Sequence, residues 1–442
     1  MSGGSSSSFR TPQKRQQGRE WSFSSRRWTS IMINRPDRPS LKILLYGHDT
    51  YGLGHIRRNT AVGARLVKDF ESSCALLLTG SPLAHCFFLP GKFDYVKIPS
   101  VTKDISGEYK SRHLRLTLKE ITSLREAIIR QTAANFRPDV FIVDHSPAGM
   151  TDEIRRTLFM VKRTLPDTKI ILGLRDIIDE GPKIRRIWAK QQIYTLLEKV
   201  YDLVIVYGCQ SICDVVSEYG IASSARTKVK YAGYISREDP IRPKDEVRKE
   251  LGMKTSRLVL VAIGGGEDGL PVIQNYLKGL AHFKGHFLYD TLIVTGPFMS
   301  REDRSRLVPL LDPDWPVKVI DFTSDFLSYI NAADLVVSMG GYNTVCEILS
   351  LRKPSIIIPR VFPRLEQLLR AERMERLGLI KMIHPESLTP EVLRREVLSS
   401  MEGFEVPSGT IEMDGLAKVS RLVQELLCSS RIQTLHKVGQ GW

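Results

Sequence analysis

The residues with the most chemical content lie in one stretch, Asp334-Leu-Val-Val-Ser-Met-Gly-Gly-Tyr-Asn-Thr-Val-Cys-Glu347. An apolar strand pattern runs into a glycine turn and then into a helix. Such a turn aims helix N-terminal amides at an anion, which the helix dipole also favours. Ser338, Gly340, Gly341, Asn343 and Thr344 surround that turn, and Glu347 stands one turn inside the helix. A second strand pattern at 354–359 leads to a helix carrying Glu366-Gln367 near its start. These are the parts needed to hold a nucleoside diphosphate with a polyhydroxylic group attached. A structural reading stands beside it. Thr344-x-x-Glu347 fits a capping box, and Glu366-Gln367 fits the solvated face of an amphipathic helix.

Three further loops have the same character. Strand pattern 258–263 ends in Gly264-Gly265-Gly266, whose backbone amides are free to meet phosphate or simply to turn the chain. Asp321-Phe322-Thr323 ends another strand. The first strand pattern, 41–46, feeds Gly47-His-Asp-Thr-Tyr-Gly52-Leu-Gly54-His55 and then a helix. The spacing is poor for a dinucleotide fingerprint, and strand 74–78 ends in Leu78-Thr79-Gly80-Ser81 without an acid for a ribose, so NAD and FAD are disfavoured. At a helix N-terminus His55 is held neutral and able to accept a proton, or is merely a polar residue at a helix start. Asp144, at the carboxyl end of strand pattern 140–143, is either its partner, an acceptor ligand or a turn residue.

The elements that must position these groups alternate as short apolar runs and amphipathic stretches, the mark of parallel α/β units. Strand patterns at 41–46, 74–78, 94–98, 140–143, 169–174, 203–207 and 229–231 form one series. A second occupies 258–263, 291–295, 317–320, 335–338 and 355–358. The polar segment 235–245, with two prolines, reads as a linker. The expected architecture is α/β, two tandem Rossmann-like doubly wound domains at 41–234 and 246–428, with ligands in the cleft between them. Residues 429–442 read as a C-terminal tail.

Of the net charge of +15, a net +6 belongs to residues 1–40, a Ser- and Arg-rich segment without periodicity that reads as a disordered basic tail. It lacks the apolar region of a secretory signal; a transit peptide is the lesser reading. The basic body suits an anionic substrate or membrane surface, and no nucleic-acid-binding motif is present. No apolar run approaches a membrane span. Six scattered cysteines without C-x-x-C read as reduced core thiols, which fits the cytoplasm. His282-x-x-x-His286 lacks a third ligand for zinc, and neither a P-loop nor Asp-x-Asp occurs. Cys86-Phe-Phe-Leu-Pro90 beside Lys92, Lys97 and Lys103 reads as a membrane-touching patch or as a buried turn, the turn being preferred.

Together these residues resemble GT-B glycosyltransferases of family 28, most strongly over 317–380, and within that group the bacterial glycosyltransferases of unassigned substrate. The resemblance implies metal-independent, inverting transfer of a hexose or N-acetylhexosamine from a UDP-sugar to the hydroxyl of a glycan or glycolipid, with no cofactor. It also implies a cytoplasmic location, peripheral to the membrane at its inner face where the acceptor is a lipid. Gly52, Gly54 and His55 match the family's glycine loop and acceptor-side base. Gly264, Gly265 and Gly266 match a second loop near the diphosphate, and Phe322 and Thr323 the segment holding the base. Ser338, Gly340, Gly341, Asn343 and Thr344 match the diphosphate turn, Glu347 the ribose-binding acid, and Glu366 and Gln367 the pair reading the donor sugar. Glu366 stands where the peptidoglycan enzyme has glutamine and Arg370 where it has asparagine, so the donor sugar stays open. A nucleotide-sugar hydrolase, a 2-epimerase and a non-catalytic sugar-nucleotide-binding protein remain alternatives.

Overall fold

The computed structural model describes residues 41–50, 53–103, 108–409 and 411–439. The expected basic tail 1–40 and Gly52 lie outside the described residues. Two parallel sheets dominate. Strands Val140–Asp144, Leu203–Tyr207, Leu258–Ala262 and Asp290–Val294 are buried along their whole length, as strands covered by helices on both faces must be.

The first sheet has seven strands, in the spatial order Phe93–Lys97, Ser73–Thr79, Leu41–Gly47, Val140–Asp144, Lys169–Arg175, Leu203–Tyr207, Val229–Tyr231. The second has six: Val317–Ile320, Asp290–Val294, Leu258–Ala262, Leu335–Ser338, Ser355–Ile357, Lys381–Met382. In each, the order reverses next to the first strand of the series. In the first sheet the reversal lies between Leu41–Gly47 and Val140–Asp144, and in the second between Leu258–Ala262 and Leu335–Ser338. Adjacent connections leave in opposite directions there and open a crevice at the strands' carboxyl ends. Residues 48–50 and 53–55 and Asp144 occupy one crevice; residues 264–266 and 338–341 occupy the other.

Several expectations need correction. The two-residue strand Lys381–Met382 and the antiparallel hairpin of Val101–Lys103 with Tyr109–Ser111 are too short to show periodicity in the sequence. The segment read as a linker, 235–245, already starts helix Lys244–Leu251 at its end, and Ile235 bridges to Asp414. The segment read as a tail, 429–442, is helical up to residue 439, because helix Gly415–Gly439 runs through it. That helix packs on Gly54–Asp69 of the first series, with Leu416, Val419 and Val423 buried in the shared core. Cys209, Cys213 and Cys346 are buried free thiols, but Cys74 and Cys86 are half-buried and Cys428 is exposed. The preferred buried turn at 86–90 is also revised: Phe87 and Leu89 pack on the core while Phe88 is 86% exposed.

Candidate functional site

The base side is built on helix Gly54–Asp69. His55 and Arg58 are three residues apart and therefore share one helix face. Both reach Asp144 at the end of the neighbouring strand. His55 Nδ1 lies 2.5 Å from Asp144 Oδ2, while Arg58 Nε and Nη2 donate to Oδ1 and Oδ2 at 2.7 and 2.6 Å. Burial alone would raise the Asp144 pKa, but Arg58 and His55 outweigh it and hold the carboxyl down to about 2. Burial works equally against the Arg58 charge, and Asp144 more than offsets it. The arrangement fixes a carboxylate against His55 Nδ1 and leaves Nε2 as the proton-accepting nitrogen.

Two more imidazoles surround His55. The His48 ring centroid lies 4.0 Å from it and that of His145 5.8 Å. Burial pushes the pKa of both well down, for His48 with His55 adding and for His145 with Arg175 adding, so both are neutral. Arg175 Nη2 donates to His145 Nε2 at 2.8 Å, which that neutral ring accepts.

Across the cleft, helix Tyr342–Ser350 begins after Gly341 with no side-chain cap. The capping-box alternative for Thr344 and Glu347 therefore fails: Thr344 already lies in the first turn. Gly340 has φ +79° and Gly266 φ +101°, conformations in which a side chain is strained. A Cβ at Gly264 or Gly341 would meet only open space. Gly54, Arg57, Arg58 and Arg175 line one wall of the cleft; Gly264–Asp268, Ser338, Gly341–Thr344, Arg360, Glu366 and Gln367 line the other. A smaller recess continues from it past Arg57, Gly264 and Thr344 to Phe322, Thr323 and Phe326.

Glu347 is 1% exposed, yet neither carboxylate oxygen has a hydrogen-bond partner among the described residues. Arg57 Nη1 and Arg237 Nη1 stand 3.6 and 3.5 Å away, close enough to compensate the charge without saturating it. Burial, with Arg237 adding, lowers the Arg57 pKa against the pull of Glu347. Four acceptor lone-pair positions are thus left for donors the protein does not provide. Glu366 is similar. Oε1 accepts from Arg360 Nη2 at 2.7 Å, and Oε2 is buried without a partner. Gln367 Oε1 accepts from the Arg360 amide at 2.9 Å.

The two halves are tied together around this cleft. Arg370, fully buried, donates from Nε and Nη2 to Asp176 at 2.9 and 2.7 Å, and Tyr234 Oη donates to the same carboxylate at 2.9 Å. Tyr342 Oη donates to the Tyr207 carbonyl at 2.8 Å, and Asn343 Nδ2 to the Gly54 carbonyl at 3.1 Å. Arg370, which stands where the peptidoglycan enzyme has asparagine, therefore bridges the halves.

The structure thus brings His55 to Asp144, and gathers Gly54, Gly264, Gly265, Gly266, Ser338, Gly341, Asn343, Thr344, Glu366 and Gln367 in one cleft. Gly340 sits directly beneath, its carbonyl accepting from Arg370 Nη1 at 3.3 Å. Sequence reasoning missed Arg57, Arg58, Arg175, Arg237 and Glu267. The i, i+3 spacing of His55 and Arg58 was a usable signal; Arg237, inside the presumed linker, gave none.

Residues 260–439 match the glycosyltransferase family 28 C-terminal domain. A UDP-N-acetylglucosamine–N-acetylmuramyl-(pentapeptide) pyrophosphoryl-undecaprenol N-acetylglucosamine transferase of Shouchella clausii is 35% identical over 117 residues, 26% of this chain. The chain covers only about a third of that relative's length, 33%. Among solved structures, the glycotransferase of kitacinnamycin superposes with a TM-score of 0.56 at 14% identity, over 90% of this chain and 98% of its own. A UDP-N-acetylglucosamine 2-epimerase gives 0.57 at 15%, over 89% and 96%. Residues 260–439 thus match a family 28 glycosyltransferase C-terminal domain, and the chain has the two-sheet fold of the glycotransferase and epimerase structures above.

Proposed function

We propose that the protein moves a hexose or N-acetylhexosamine from a UDP-sugar to an acceptor hydroxyl. The observation that carries this reading is Glu347, a buried carboxylate with both oxygens unbonded beside an uncapped helix N-terminus. Two vicinal ribose hydroxyls supply the donors it lacks. The recess at Phe322 and Thr323 then takes the base, and Glu366 and Gln367 take sugar hydroxyls.

In this reading His55 Nε2 accepts the proton of the acceptor hydroxyl as its oxygen attacks the anomeric carbon. The bond from that carbon to the β-phosphate oxygen breaks, and its electron pair leaves with UDP. Asp144 keeps Nδ1–H oriented and stabilises the imidazolium, a contribution on the order of 10²–10⁴ in rate. Charge growing on the diphosphate is met by amides at 340–344, the glycine loop at 264–266 and nearby arginines, so transfer without a metal ion and inversion at the anomeric carbon belong to the proposal. A cytoplasmic site of action, at the inner membrane face for a glycolipid acceptor, belongs to it too; among the described residues no helix is long and apolar enough to cross a membrane.

The solved 2-epimerase neighbours make a second reading specific, since the same donor cleft would serve isomerisation. Product analysis by NMR separates them: UDP-sugars incubated with a panel of glycan and glycolipid acceptors yield a new glycosidic linkage under the transferase reading. A 2-epimerised UDP-sugar, or free sugar at the same rate with and without acceptor, contradicts it.

A further inference from the structure

Two recesses meet in the cleft, a larger one over the start of helix Tyr342–Ser350 and a smaller one reaching Phe322, Thr323 and Phe326. Among the described residues four line both: Leu53, Arg57, Gly264 and Thr344. Arg57 is the one charged member, and with Leu53 it comes from the half that carries His55. It stands two residues beyond His55 on helix Gly54–Asp69, so its side chain leaves the helix away from the face that meets Asp144.

Three observations place the guanidinium at this junction. Nη1 lies 3.6 Å from Glu347 Oε2, within ion-pair reach but longer than a hydrogen bond. Cζ lies 5.8 Å from the centre of the Phe326 ring, in the smaller recess. Nε is buried and has no hydrogen-bond partner among the described residues, which is costly unless something accepts from it. Glu347 is shared with Arg237 at 3.5 Å, so one carboxylate faces two cations. Burial and Arg237 together lower the Arg57 pKa despite Glu347 and Asp239. The protein leaves this cation under-compensated, and an oxyanion beside it would complete it.

We propose that Arg57 bonds the α-phosphate of the donor nucleotide, so that the half carrying His55 supplies one of the donor's own ligands. The inference deepens the proposed function and rests on its donor site. With the nucleobase at Phe322 and the diphosphate over residues 340–344, the group that spans the junction of the two recesses is the 5′-phosphate. A ribose held by Glu347 brings that phosphate beside the same carboxylate, where Nη1 stands. The carbonyls of the nucleobase are neutral, and a guanidinium bonds phosphate oxygens more strongly, through paired N–H donors. Arg57 and His55 lie in one helical turn, so a filled phosphate position also sets the turn bearing His55 against the donor.

The test compares UDP, UMP and uridine on the full chain and on Arg57→Met, with affinities from calorimetry for the nucleotides and from ligand-observed NMR for uridine. The variant should bind UDP and UMP about tenfold or more weakly, and uridine within about twofold of wild type. Arg57→Lys carries the test if Arg57→Met fails to fold. A point charge without paired N–H donors should cost UMP about threefold to tenfold and uridine less than about twofold. UMP affinity unchanged in the folded variant overturns the contact. An equal loss for UMP and uridine assigns Arg57 to the ribose or to the support of Glu347, and overturns it as well. A wild-type protein that binds none of the three probes rejects the donor site itself, and the Arg57 contact with it.

Discussion

Replacing Asp144 by asparagine tests the base side of the cleft most sharply, because geometry and charge are separable there. The carboxylate is 1% exposed and accepts from Arg58 twice and from His55 once. Held from an ordinary 3.8 down to about 2, its ionised form is favoured by about 2.5 kcal/mol over the protonated form. That stability is present above pH 3.8 and is lost as pH falls through about 2. The amide side chain of Asp144→Asn keeps the shape but leaves Arg58 buried without a counter-charge, a loss of about 3–5 kcal/mol by comparison with other broken buried pairs. It also removes the anion that stabilises the His55 imidazolium, so kcat should fall by about 10²–10⁴. The assay pairs urea unfolding with initial rates and UDP affinity at a temperature where the variant is folded. A folded variant with unchanged UDP affinity and kcat within about threefold of wild type would refute the dyad.

Other outcomes follow from particular contacts. Arg370→Met should destabilise the protein by about 3–5 kcal/mol because Asp176 loses its guanidinium, whereas Arg370→Met with Asp176→Leu should recover much of that loss; urea midpoints that fall equally for both would deny the buried bridge. Glu267 is pushed up to about 7 by burial, against Arg112, with Asp268 adding and Arg360 opposing. The unfolded chain ionises first, so this residue lowers stability as pH rises from about 4.5 to about 7. Glu267→Gln should therefore gain stability over wild type at about pH 8 and not at about pH 4.5; equal shifts at both pH values count against it. Turnover should persist in excess EDTA, since amides and arginines are proposed to carry the diphosphate charge; loss of activity restored by a divalent ion would reverse that assignment.

The architecture was legible because fully buried parallel strands leave continuous apolar runs, such as residues 140–143 and 203–207, each bounded by turn residues. The cleft's glycine loops and the Glu347 and Glu366-Gln367 positions were legible from local order alone, since strand, turn and helix start are contiguous in the chain. Contacts between halves were not. Arg370 donates to Asp176 across 194 positions and Asn343 to Gly54 across 289, and no local pattern encodes such pairs. Arg370 shows the consequence: in the sequence it is only a departure from the family pattern, while the fold turns the side chain toward the other half. The end of the chain misled for a similar reason, because helix Gly415–Gly439 packs on Gly54–Asp69, far from it in sequence.

The measurement closest to the central claim is calorimetric titration of UDP into the full chain and into Glu347→Ala. The account predicts wild-type binding, and a loss of about tenfold to about 10⁴-fold in the variant, from one to two charge-assisted hydrogen bonds of about 1.5–3 kcal/mol each. NAD should not bind. Absence of UDP binding, or equal affinity in a folded Glu347→Ala protein, would contradict the donor site on which the proposed function stands.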